Sequence, residues 1–250
     1  MAGKDTNTGA KRAREARAEL GLAAEAPVGC VLTLVEDRLG LPVVFAALPD
    51  GIAGCCWREG DRVVLWVNGT DAVVRQRFTL AHELGHVRCG HDDHVPVETF
   101  ETLGGKTTDS REVQANAFAA ELLAPPAGVR AAVDGEPTLE DVVRIAAHFG
   151  ISTIAALFRL NTLRLTGRYA TLKREIDEGL QDEVWARLQP EVVDDAIAGL
   201  DPAALPRLSP ALDGSALAAL AAGAVSIAEA ATAAGCEPAQ LADGAAAIGV

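Results

Sequence analysis

The run Ala81-His82-Glu83-Leu84-Gly85-His86 constrains this chain more than any other stretch. Its surroundings read as a helix over residues 72–89. On a helix, residues four apart share a face, so His82 and His86 can both offer a ring nitrogen to one metal ion. Glu83 stands one step round from His82, at the edge of the same site. A carboxylate there can take a proton from a water molecule at the metal. The alternative for the pentapeptide alone is two surface histidines beside a chance glutamate.

Two protein histidines rarely finish a catalytic site, which usually has three protein ligands and a water. The next helix-like segment, Ser110 to Leu123, can be capped by Ser110 and is stopped by Pro125-Pro126. Ala115, Phe118, Ala119 and Leu122 give it an apolar stripe that can pack on the first helix. Glu112 and Asn116 are four apart and share a face. Glu112 can complete a His/His/Glu set, with Asn116 supporting it from behind. Equally, Glu112 can be a solvated charge in a helix's first turn, where acids are favoured anyway. Glu121 is the competing acid, two and a half turns further on. Spacing leaves these readings open.

The run Arg77-Phe78-Thr79-Leu80-Ala81-His82-Glu83-Leu84-Gly85-His86, followed by Glu112, Ala115-Asn116, Phe118-Ala119, Leu122-Leu123 and Pro125, resembles the ImmA/IrrE family of metallo-endopeptidases. The likeness covers roughly residues 30–165. It implies that His82, His86 and Glu112 bind one zinc ion and that Glu83 is the general base. It also implies a zincin-like, gluzincin-type peptidase that cleaves a helix-turn-helix (XRE-like) transcriptional repressor, relieving repression in a stress or mobile-element regulon. The chain departs from the family at Gln114, where an acidic residue is common, which leaves Glu112 as the better ligand candidate. Ala124 stands where Met is common.

Around these motifs the sequence predicts an α+β fold: a mainly helical metallopeptidase core with a small antiparallel sheet, then a helical C-terminal region. The expected division is a metallopeptidase domain over 1–130, a helix-turn-helix-like helical subdomain over 131–168, and an Ala-rich acidic helical region over 169–250. Residues 10–20 read as a charged helix with a solvated face, and 27–39 as a second helix. Pro42–Leu48, Gly51–Trp57 and Arg62–Asn68 are strand candidates, with hairpin turns at Asp50-Gly51 and Glu59-Gly60-Asp61. Arg62–Asn68 is the strongest, and as an edge strand it could pair with an extended peptide. Residues 90–110 read as a polar loop, a candidate lid or substrate wall. His91 and His94 lie in it; one of them could be an extra ligand or polarise a substrate carbonyl, and a structural or hydrogen-bonding part is favoured for His91. His91 and Arg77 are the available guesses for an oxyanion helper.

Residues 124–137 read as a linker. Leu139, Val142, Val143, Ala146 and Phe149, then Ala156, Leu157, Leu160 and Leu163, mark two helices about a turn at Gly150. Arg159, Arg164 and Arg168 give the pair modest positive charge. A packing module is favoured over a DNA reader, because the net charge of −13 argues against gripping phosphate backbones. That acidity suits a basic protein partner instead. Further helices are expected over Leu205–Leu220 and Ser226–Ala234. Five cysteines without a C-x-x-C pair fit reduced thiols, and Cys89 reads as a buried thiol, not a ligand. No apolar run is long enough to span a bilayer, and Met1 to Thr8 lacks a signal-peptide core, so a cytoplasmic protein without membrane contact is expected. Two other functions remain: a regulator that sequesters a repressor without cutting it, and a DNA-binding factor built on residues 138–166.

Overall fold

The computed structural model of the chain describes residues 2–48, 52–59, 62–91, 97–99, 107–205 and 207–209. In chain order these form α1 (Ala2–Glu19), a short α2 (Val31–Thr33) running into a π-helical turn (Leu34–Arg38), β1 (Val43–Ala46), β2 (Ile52–Glu59), β3 (Arg62–Asn68) and α3 (Val73–Cys89). Then follow β4 (Val97–Thr99), α4 (Ser110–Leu123), α5 (Pro126–Ala131), α6 (Leu139–Phe149), α7 (Thr153–Thr162), α8 (Tyr169–Asp177) and α9 (Leu180–Leu188). Two 3₁₀ turns (Ala196–Gly199, Pro202–Ala204) lead to β5 (Arg207–Leu208). The fold is α+β and mainly helical. His94, both hairpin turns' central residues and the helix expected over Ser226–Ala234 lie outside the described residues. Of the helix expected over Leu205–Leu220, Arg207–Leu208 form strand β5, and residues 206 and 210–220 lie outside the described residues.

The sheet has the order β4-β2-β3-β1-β5. β2 and β3 form the expected hairpin, with Glu59 opposite Arg62. β1, however, joins β3 in parallel, Val43 opposite Leu65, so the sheet is mixed where antiparallel neighbours were expected throughout. β3 is therefore central, which corrects its reading as an edge open to a peptide. The physical reason lies in its sequence: Val63 to Val67 are all buried, and a strand covered on both faces reads as one apolar run. Among the described residues the edges are β4 and β5.

α3 is the axis of the molecule. Its residues from Gln76 to His86 are almost continuously buried, and it ends where Gly90, at φ +72, caps His86 and Val87 carbonyls. On one side it meets the sheet, and on the other it crosses α4. One apolar cluster runs from Ala13 and Ala16 through Leu80, Leu84, Phe118 and Leu122 to Val142, Leu157, Ile176 and Ile197. It thus crosses residues 130 and 168, the expected boundaries. α1 is longer than expected; Lys11, Arg12, Arg14 and Glu15 lie on a solvated face, while Ala13, Ala16 and Arg17 are buried on the other. Gly9 sits against α4 so closely that a Cβ there would lie 2.0 Å from the Gln114 carbonyl oxygen. Arg17, buried beside it, donates to the carbonyls of Leu122, Ala23 and Ala26, each at 2.6 Å.

The linker expected over 124–137 holds the short helix α5. Beyond it, Thr138 and Asp141 form a reciprocal capping box on α6, Gly150 turns the chain at φ +61, and Ser152 caps α7. The two axes meet at 105°. Val142, Val143, Ala146, Phe149, Leu157 and Leu160 all face the core. Among the described residues no single helix is long and apolar enough to cross a membrane.

Candidate metal centre

Two helices build the site. α3 places His82 and His86 one turn apart on its α4-facing side. α4 brings Glu112 in its first turn, and that turn is held by Asp109, whose side chain accepts from the Arg111 amide. Asp109, not Ser110, is the N-cap. Its carboxyl is kept below the ordinary carboxylate range, chiefly by that backbone hydrogen bond. Gly85 allows the crossing: a Cβ there would stand 3.0 Å from Ala115 Cα and 3.1 Å from its carbonyl oxygen.

The result is a buried group of three ligand atoms. His82 Nε2 and His86 Nε2 lie 3.0 Å apart. Glu112 Oε2 is 3.3 Å from the first, and its Oε1 is 3.5 Å from the second. Among the described residues this is the group suited to hold a metal. A tetrahedral ion with bonds of about 2.0–2.2 Å spaces its ligand atoms about 3.3–3.6 Å apart; the two glutamate–histidine separations match this, and the two histidine nitrogens stand slightly closer. The chemistry of the donors fits as well. His82 Nδ1 lies 3.1 Å from Asn116 Oδ1, an acceptor, so Nδ1 carries the proton and Nε2 presents a lone pair to the centre. Glu112 Oε2 is buried and accepts no hydrogen bond. Electron-rich atoms converging in a buried place suit a cation among them.

Glu83 is wholly buried beside His82. β2 passes over it only because residue 54 is glycine: a Cβ there would come within 3.2 Å of Glu83 Oε1 and 2.5 Å of Thr79 Cγ2. His91, just past the end of α3, places Nδ1 3.0 Å from His86 Nδ1 and Nε2 3.4 Å from Gln114 Oε1. Burial first, and then the neighbouring His86, push its imidazole below the ordinary range.

The structure also places the residues that stay outside. Glu121 is held by Arg14 at 2.7 Å and by Arg159. Cys89 is not among the three, and burial pushes its thiol up to about 11. Arg77 is excluded as an oxyanion helper. Its guanidinium donates to Asp195 and to the carbonyls of Val28, Gly29 and Gly150. Arg159, counted in sequence with the modest positive charge of the helix pair, is buried and donates to Glu121 and the Ala124 carbonyl. Asp195 has no sequence signal, since nothing distinguishes it from its acidic neighbours. Yet it anchors Arg77, the Val31 and Ile197 amides, and the Cys30 thiol.

Comparison with known proteins adds an independent line. No curated protein matches the chain. A family model described as the IrrE N-terminal-like domain, of the M78 peptidases, matches residues 36–161, about half of the chain. The matched stretch takes in the sheet strands β1 to β4 and both helices that carry the His/His/Glu group. The chain therefore belongs to the ImmA/IrrE family of metallopeptidases.

Proposed function

We propose that this protein is a cytoplasmic zinc-dependent endopeptidase that cleaves a helix-turn-helix (XRE-like) transcriptional repressor, relieving repression in a stress or mobile-element regulon. The observation that carries the reading is the buried convergence of His82, His86 and Glu112, with the Glu83 carboxylate one residue along. His82 and His86 would hold the ion through Nε2 and Glu112 through its carboxylate, which would leave a dication with a net charge of about +1. One zinc ion bound there would supply Lewis-acid chemistry for a scissile carbonyl and would lower the pKa of a water molecule to about 7. Glu83 takes a proton from the attacking water as the water oxygen bonds to the carbonyl carbon. The same carboxyl gives that proton to the amine nitrogen as the C–N bond breaks. Asn116 fixes the His82 ring in the tautomer the ion needs.

The partner is inferred from charge and from the family. A net charge of −13 favours approach to a basic protein such as a repressor and disfavours phosphate backbones. The burial of Arg159 removes one of the cations a DNA-reading helix pair would need.

The test mixes zinc-loaded protein with the repressor encoded beside its gene and reads intact masses, with Glu83→Gln as the control. Discrete fragments from the wild type alone are expected, while Glu83→Gln keeps its zinc. A repressor left whole by a zinc-loaded wild type would overturn the proteolytic reading in favour of a regulator that binds without cutting.

A further inference from the structure

Each proposed histidine ligand has its second ring nitrogen turned to a different kind of neighbour. For His82 that neighbour is the Asn116 carbonyl oxygen, which can only accept. For His86 it is another imidazole, His91, at 3.0 Å between the two Nδ1 atoms. Two neutral rings in Nδ1–Nδ1 contact need opposite tautomers, since one nitrogen must carry the proton and the other must be bare. His86 Nε2 points into the centre, 3.0 Å from His82 Nε2 and 3.5 Å from Glu112 Oε1, and must offer a lone pair there. Its proton is then on Nδ1, and His91 Nδ1 is the acceptor. The His91 proton falls to Nε2, which faces Gln114 Oε1 at 3.4 Å. The Gln114 amide nitrogen in turn donates to Ser110 Oγ at 3.1 Å and Asp5 Oδ1 at 3.4 Å. Every donor in this sequence meets an acceptor.

We infer that His91 is a positioning residue that fixes the metal-binding tautomer of His86, itself oriented by Gln114 from α4. The relay ends on α1, at Asp5, outside the residues the family model matches. This rests on the metal reading above. It assigns His91 neither to the metal nor to the substrate; the residue acts only through His86. Partners that orient a ligating imidazole typically change metal affinity by about 10–100-fold when removed.

The experiment measures zinc affinity by competition with a chromophoric chelator for the wild type, His91→Phe and His91→Asn. Thermal melting of the metal-free proteins checks folding. Phe keeps a ring but no acceptor, whereas Asn restores an oxygen acceptor near the Nδ1 position. His91→Phe should bind zinc about 10–100-fold more weakly, and His91→Asn should recover most of the loss. In the zinc-loaded wild type, long-range ¹⁵N–¹H spectra should show His91 protonated at Nε2 and bare at Nδ1. A His91 bearing its proton on Nδ1 would overturn the relay. So would a wild type that binds zinc beside an equally tight His91→Phe, or Phe and Asn variants that lose affinity equally while still folded. A wild type without zinc affinity would overturn the metal reading, and the relay with it.

Discussion

Cys89 lies three residues past His86, one turn along α3, and a thiolate so placed would be a competent zinc ligand. Burial decides against it by pushing the thiol up to about 11, with Arg12 only partly opposing. The sign is plain: a cysteine whose pKa is raised stays a neutral thiol through physiological pH, and a neutral thiol neither binds zinc nor attacks electrophiles. At pH 8 its thiolate fraction is about two orders of magnitude below that of an ordinary cysteine, so iodoacetamide should label it about 100-fold more slowly. Peptide mass mapping over time checks this, and labelling at the rate of an exposed cysteine would contradict the burial argument. The acids give the complementary lesson. Glu112 is the better ligand candidate in the sequence, but Glu121 competes with it, because both lie on the helix that follows the motif. What separates them is partners far along the chain: Arg14, 107 residues away, and Arg159, 38 away, close around Glu121. No local pattern encodes such meetings.

The crossing of α3 over α4 is where the sequence was most legible. His82, His86 and Asn116 announce their faces by a spacing of four, and Phe118 and Leu122 announce the stripe that packs them. The closeness of the crossing is set by Gly85, which reads in sequence only as the variable position of a motif. Gly85→Ala sets two effects against each other. Alanine improves helix propensity by about 1 kcal/mol, while a Cβ 3.0 Å from backbone Cα, and so facing an unyielding atom, costs about 1–3 kcal/mol in overpacking. Global stability should therefore fall only slightly, by about 0–2 kcal/mol. Zinc affinity should fall further, because separating the helices draws Glu112 away from the histidines. Urea unfolding beside chelator competition checks the split; unchanged zinc affinity would show that the crossing has slack. The sheet was less legible for a related reason. Strand existence follows from apolar runs, but the parallel pairing of β1 with β3 depends on how the segment between β1 and β2 returns, which residue types do not dictate.

At the scale of the whole molecule, described residues beyond the family match are joined to α3, the helix of His82 and His86. Arg77, five positions before His82, is buried against Asp195, and burial holds its guanidinium below the ordinary arginine range, with the Asp195 carboxylate offsetting only part of that cost. The same segment continues to Arg207, which holds Glu36 at 2.6 Å through both carboxylate oxygens while β5 lies along β1. Residues 190–209 read in sequence as the start of an appendage because Asp195 looks like its acidic neighbours. Asp195→Ala leaves a guanidinium buried without its counter-charge, a loss that typically costs about 3–5 kcal/mol. For a domain of this size each kcal/mol moves Tm by about 2–4 °C, so the variant should melt roughly 6–20 °C lower. Asp201→Ala, which removes only a cap on an exposed 3₁₀ turn, should move Tm by a few degrees at most, since such caps contribute about 1 kcal/mol. Differential scanning calorimetry of the metal-free proteins separates the two. Equal, small shifts would mean that residues 190–209 rest on the metallopeptidase core without supporting it. A large shift for Asp195→Ala alone would make the strap part of what holds α3, and with it His82 and His86, in place.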